Sequence, residues 1–112
     1  MPATDRLHGT LDALVLKALT FGPRHGFGIL RWIADRTGDV VNVEEGSLYP
    51  ALYRMERDGW LEATWGVTDQ GRRAKFYAIT PKGRRHLASE TRDLETFISA
   101  IAPVLLPAWT GR

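Results

Sequence analysis

The chain has 112 residues, 44% of them hydrophobic and 25% charged, and contains no cysteine. That length allows one domain with a modest core, to which a second chain would add stability. The lack of cysteine excludes a disulfide framework, a thiolate metal site and a cysteine nucleophile. The formal net charge is only +2, yet Arg72, Arg73, Lys75, Lys82, Arg84 and Arg85 face a single acid, Asp69, between Val67 and Arg85. Such a cluster suits a polyanionic partner and a plain solvated surface about equally well.

Met1 to Asp5 shows no basic stretch followed by an apolar run, so no secretory leader is expected. No apolar run is long enough to cross a bilayer, and the expectation is a cytoplasmic, nucleoid-associated protein with no membrane partner. Thr10 is placed to cap a first helix whose apolar face is Leu11, Leu14, Val15, Ala18 and Leu19. Gly22-Pro23 ends it. A second helix starts between His25 and Phe27 and runs to about Thr37, with Phe27, Leu30, Ile33 and Ala34 as its buried stripe and Gly38-Asp39 as its stop.

Val40 to Val43 reads as a short extended piece. A third helix runs from Glu45 or Gly46 to Asp58-Gly59, with Leu48, Leu52 and Met55 on one face. Pro50 is then expected within about the first turn, where a missing N–H is tolerated. Trp60 to Trp65 and Arg72 to Ile79 read as two strands joined by the turn-rich Gly66 to Gly71. Thr80-Pro81 is an N-cap with proline at the first helical position. In the last helix Leu87, Leu94 and Ile101 recur every seven residues, as do Thr91, Ile98 and Leu105, and Pro103 and Pro107 weaken it beyond Ala102.

The order predicts a mainly α fold with a small β-hairpin: a winged helix-turn-helix followed by a long C-terminal helix. Residues 1–80 would form the DNA-binding domain and 81–112 a dimerisation helix and tail, the two making one compact unit. In such a module the third helix enters the major groove and the hairpin, or wing, meets phosphates or a neighbouring groove.

Three segments carry a family resemblance. Glu45-Gly46-Ser47-Leu48-Tyr49-Pro50-Ala51-Leu52-Tyr53-Arg54-Met55-Glu56, followed by Asp58-Gly59-Trp60-Leu61, resembles the third helix of PadR-family regulators. Gly26-Phe27-Gly28-Ile29 is similar to the start of their second helix, and Arg73 to Gly83 to their second wing strand and the helix after it. The single final helix matches the short-tailed branch of the family. The resemblance implies a dimeric repressor that binds double-stranded DNA at a palindromic operator, in some members released by a small aromatic or drug-like effector. It implies no cofactor.

Each candidate residue has two readings. Ser47, Tyr49 and Pro50 open the third helix and are expected to meet DNA, Ser47 and Tyr49 through their hydroxyls and Pro50 against a thymine methyl; otherwise Ser47 is a cap and Tyr49 partly core. Arg54, one turn past Pro50, faces either a guanine or phosphate, or a surface ion pair with Glu56, Asp58 or Glu62. Tyr53 is left to packing or a backbone contact. Arg72, Arg73 and Lys75 are wing residues suited to phosphate or the minor groove, with Arg73 and Lys75 on one strand face. His25 and Gly26 start the second helix, where free N–H groups suit a phosphate, and where a capping histidine and a tight turn serve equally well. Lys17 is a further candidate for the DNA backbone.

Leu87, Leu94, Phe97, Ile98 and Ile101 form a stripe suited to packing between subunits. Trp32, Trp60 and Trp65 read as packing, while Trp109 in the proline-flanked tail is suited either to closing a cavity in a dimer or to packing on the partner. His8, His25 and His86 are scattered without metal-ligand spacing, and no nucleophile or phosphate-loop motif is present, so no enzymatic activity is expected. Two other binding roles compete. A winged helix used only for protein interaction would carry an acidic or apolar third-helix face, and an RNA-binding module would expose stacking aromatics on a sheet.

Overall fold

Helix α1 spans Ala3–Leu19 in the computed structural model, which describes residues 3–106 and 108 of the chain. Thr10 therefore lies inside the helix and is not its cap, because the residues before it sustain helical geometry. Val15, Leu16, Ala18 and Leu19 are all buried. Leu16 joins the expected face because α1 is covered on two sides: by the last helix, α4 (Pro81–Leu105), and by α2 (Gly26–Arg36) together with the sheet.

A two-residue strand, β1 (Arg24–His25), precedes α2. It is too short to leave a periodic signature. It pairs antiparallel with β3 (Arg73–Ile79), setting Arg24 opposite Tyr77 and His25 opposite Phe76. With β2 (Leu61–Val67) it makes a three-stranded antiparallel sheet of order β1-β3-β2. Gly26, Ile29 and Ile33 define the inward face of α2. Phe27, expected in that stripe, lies off it and is exposed. Gly38 and Asp39 end the helix with φ of 59° and 66°.

Helix α3 (Glu45–Arg57) buries Leu48, Ala51, Leu52 and Met55. Pro50 falls at its sixth residue, one turn later than expected. There the cost is one missing bond from the position-50 nitrogen toward the Gly46 carbonyl, on a face turned to solvent where water can serve that carbonyl. The hairpin tip closes through Thr68, whose N–H donates to the Arg72 carbonyl (2.7 Å) and whose hydroxyl accepts from the Arg72 N–H (3.1 Å).

The Thr80 hydroxyl caps α4 by accepting from the Gly83 N–H (3.0 Å) and donates to the Gly59 carbonyl (2.7 Å). A Cβ at Gly83 would collide with the Trp60 carbonyl oxygen. That backbone cannot yield, so the first turn of α4 is held on the end of α3 only because residue 83 has no side chain. Trp60 stacks on His86 with ring centroids 3.7 Å apart, fixing the same junction. At 25 residues, α4 extends about 37 Å.

Leu87 is partly buried against the core of its own chain, which leaves less of it for a partner subunit. Leu94 and Ile101 are half-buried. Phe97 and Ile98 keep 40% and 37% of their surface exposed, and Val104, Leu105 and Leu106 are more exposed still. The uncovered apolar surface of α4 is thus concentrated in its C-terminal half. Trp109 and its suggested cavity lie outside the described residues.

Candidate nucleic-acid interface

The site begins with how α3 sits on the core. Burying Leu48, Leu52 and Met55 turns Gly46, Pro50, Tyr53 and Arg57 to the opposite side, since these recur at intervals of four, three and four residues. Tyr49 lies at the edge of that outer face nearest the wing. Its exposure is 46% and that of Tyr53 is 70%. Two tyrosines, a proline and an arginine on one exposed stripe make a surface with apolar bodies and polar tips, able to lie against base edges and phosphates.

Tyr49 is positioned by a glycine. Its hydroxyl and ring edge cross Gly26 so closely that a Cβ there would overlap them, the hydroxyl oxygen at 2.5 Å. Gly26 is buried beneath it as the first residue of α2. The preceding residue, His25, caps that helix: its Nδ1 accepts from the Gly28 N–H (3.1 Å). With Nδ1 so used, the neutral ring carries its proton on Nε2. His25 also meets Phe76 edge to face at 5.3 Å, which locks the ring to the wing.

Between the start of α2, α3 and the wing runs a groove of about 450 Å³. His25, Gly26, Tyr49, Arg72, Arg73 and Lys75 all line it. Six of the nine candidates chosen from the sequence therefore meet in one place. The register sets Trp65 opposite Lys75 and Ala63 opposite Tyr77, so Arg73, Lys75, Tyr77 and Trp65 share a sheet face. Arg73 stacks on Trp65 at 4.7 Å. Trp65, expected to pack inside, is 62% exposed. Lys75 Nζ donates to a Glu56 oxygen (3.3 Å). Both partners are partly exposed, so the pair holds Lys75 only weakly. Burial pushes the Tyr77 phenol above its ordinary range, against the pull of Lys75, and keeps it neutral at the groove floor.

The other three candidates stand apart from this groove. Ser47 and Pro50 are exposed but border a second cleft on the α1 side of α3. Arg54 turns further. Its two terminal nitrogens donate to the two carboxylate oxygens of Asp12 at 2.8 and 2.9 Å. Asp12 is 3% exposed. The hydrogen bonds to Asp12 raise the guanidinium's already high pKa, against the desolvation that burial imposes. A fork committed to a buried carboxylate is not presented to a guanine, and neither is the partner one of the acids Glu56, Asp58 or Glu62 considered from sequence. Its geometry is that of a brace between α1 and α3. Asp12 gave no signal in the sequence, where it is one of several polar residues of α1 and nothing local marks it as buried. Lys17 reaches the Phe21 ring instead, at 5.6 Å.

Arg57 is an exposed interface candidate that the sequence reading left out, and Tyr53, left there to packing or a backbone contact, is exposed beside it. A signal for them existed: both follow Pro50 at helical spacing, opposite the apolar stripe. Arg57 Nε lies 3.2 Å from Asp58, an exposed pair that restrains it little.

Residues 15–89 match the profile of the transcriptional regulator PadR-like family. A transcriptional regulator of Clostridium thermocellum has a similar structure, with a TM-score of 0.80 and 26% identity over 90% of this chain and 98% of that one. A PadR-family regulator of Eggerthella lenta superposes with a TM-score of 0.74 and 28% identity, covering 89% of this chain and 86% of that one. A transcriptional regulator of Mycobacterium tuberculosis is 45% identical over 53 residues, which are 47% of this chain and 49% of that protein.

Proposed function

The chain belongs to the transcriptional regulator PadR-like family, and we propose that within it this DNA-binding regulator is a homodimeric repressor of a palindromic operator. The observation that carries the reading is the groove that gathers His25, Gly26, Tyr49, Arg72, Arg73 and Lys75 beside the outward stripe of α3. In this reading α3 enters the major groove, with Tyr49, Pro50 and Ser47 at the leading end and Tyr53 and Arg57 behind. Arg72 and Arg73 take phosphates or the minor groove at the wing, and His25 Nε2–H and the start of α2 take the phosphate between them. Arg54 supports α3 from behind. Release of the operator by a small drug-like effector completes the reading. Anisotropy of a labelled duplex from upstream of the protein's own gene, compared with a scrambled duplex over a salt series, tests it. The expected result is a clear preference for the native duplex with strong weakening by salt. Equal, weak binding to both duplexes would leave only charge attraction and reject a sequence-specific regulator.

Dimerisation is assigned to residues 81–112, through the exposed C-terminal half of α4. Phe97, Ile98, Ile101, Val104 and Leu105 give a contiguous apolar surface of the kind that marks an interface. Two-fold pairing would set the two α3 helices about one DNA turn, roughly 34 Å, apart. Ile98→Glu places a charge in that surface and is expected to halve the mass seen by light scattering. An unchanged mass would reject this interface.

A further inference from the structure

A second cleft, larger than the wing groove, also borders α3. It lies on the other side of α3, bounded by α1 and by the loop between α2 and α3, open to solvent on one side, with a volume of about 570 Å³. Its walls are mainly apolar, with Leu11 and Leu14 from α1, Val41 and Val43 from the loop, and Pro50 and Ala51 from α3, beside the neutral polar Thr10, Asn42 and Ser47. That volume and lining fall within the range of small-molecule sites, about 300–1,000 Å³. Arg54 reaches the cleft, but its charge is matched by Asp12. The charge that remains is Glu44, which also lines it. As the N-cap residue of α3, Glu44 makes no capping hydrogen bond through its side chain. Among the described residues it has no ion-pair partner. An apolar cleft of drug size with one uncompensated carboxylate selects against anions and for lipophilic cations.

We propose that this α1–α3 cleft binds a drug-sized lipophilic cation with its charge at Glu44, and that occupancy excludes DNA. The coupling rests on the DNA-binding reading above, because Ser47 and Pro50 line the cleft and also belong to the end of α3 assigned to the major groove. A molecule packed against them takes the place of DNA. The effect is reciprocal: operator DNA lowers affinity for the cation by the same factor.

The test titrates the full chain calorimetrically with tetraphenylphosphonium and, separately, with tetraphenylborate, an anion of nearly the same shape. The phosphonium is expected to bind about tenfold or more tightly than the borate, the difference between attracting and repelling one partly exposed charge. Glu44→Gln is expected to abolish that preference. Val41→Trp, which fills the cleft mouth from an exposed loop, is expected to abolish binding of both ions without lowering the melting temperature. Equal affinities for the two ions in the native chain, or unchanged binding in both variants, would overturn the site. In the anisotropy assay tetraphenylphosphonium is expected to release native duplex from the unaltered protein, and at the same concentration not from Glu44→Gln. Equal release from both would overturn the coupling. A ligand-free protein that fails to prefer its native duplex rejects the DNA reading alone, since the calorimetry contains no DNA.

Discussion

Tyr49→Ala is expected to reduce affinity for the native operator on the order of a hundredfold while leaving the fold intact. The side chain is half-exposed and its packing partner is a glycine, so truncation removes little buried surface and opens no cavity. The loss instead falls on recognition. A specific base or phosphate contact is worth about 1–3 kcal/mol, and in a two-fold complex each substitution removes it twice. Tyr49→Phe separates the hydroxyl from the ring. Gly26→Ala provides an independent route to the same end, because its new Cβ overlaps the Tyr49 hydroxyl and ring edge and must push the side chain off its position. As the displaced atoms end a flexible, solvent-facing side chain, the thermal midpoint should move little while native-duplex affinity falls. Anisotropy with native and scrambled duplexes, beside a circular-dichroism melt, checks both variants. Undiminished preference for the native duplex in Tyr49→Ala would take this residue out of the interface.

The sequence made some of this site legible and hid the rest, for identifiable reasons. Helix order, the hairpin and the Thr80-Pro81 cap follow from local chemistry: turn residues, apolar spacing and a proline at the first helical position. The basic wing was visible as composition. What strand alternation could not reveal was where each cation points, and the structure sends Lys75 to Glu56 and stacks Arg73 on Trp65. Strand β1 left no trace because two residues have no period. Phe27 was placed inside because it is apolar, whereas Gly26, which has no side chain to bury, occupies the inward position. Tyr53 and Arg57 were readable from the stripe of α3 itself. The contact between Asp12 and Arg54 spans 42 residues, and spacing within one helix carries no information about it.

That long-range pair yields the second large effect. Arg54→Met removes the partner of an Asp12 carboxylate that has only 5% of its side chain exposed. Breaking a fully buried pair costs about 3–5 kcal/mol, because one charge is left desolvated and unmatched. The expected loss here is somewhat less, about 2–3 kcal/mol, because Arg54 retains 32% of its side-chain exposure and water can approach from that side. In a chain of this size that corresponds to a fall in melting temperature of roughly 10–20 °C. The double variant Asp12→Leu/Arg54→Met replaces both charges with apolar groups and is expected to recover most of the loss. The same pair of variants separates bracing from DNA contact. If Arg54 acts only by holding α3 against α1, the double variant regains operator affinity along with stability. If its guanidinium touches DNA, the double variant melts near the native temperature yet still binds the operator weakly, and the assignment of Arg54 as a brace is wrong. Both measurements belong on the same samples, with binding read well below the lowest melting temperature so that unfolding cannot imitate a lost contact.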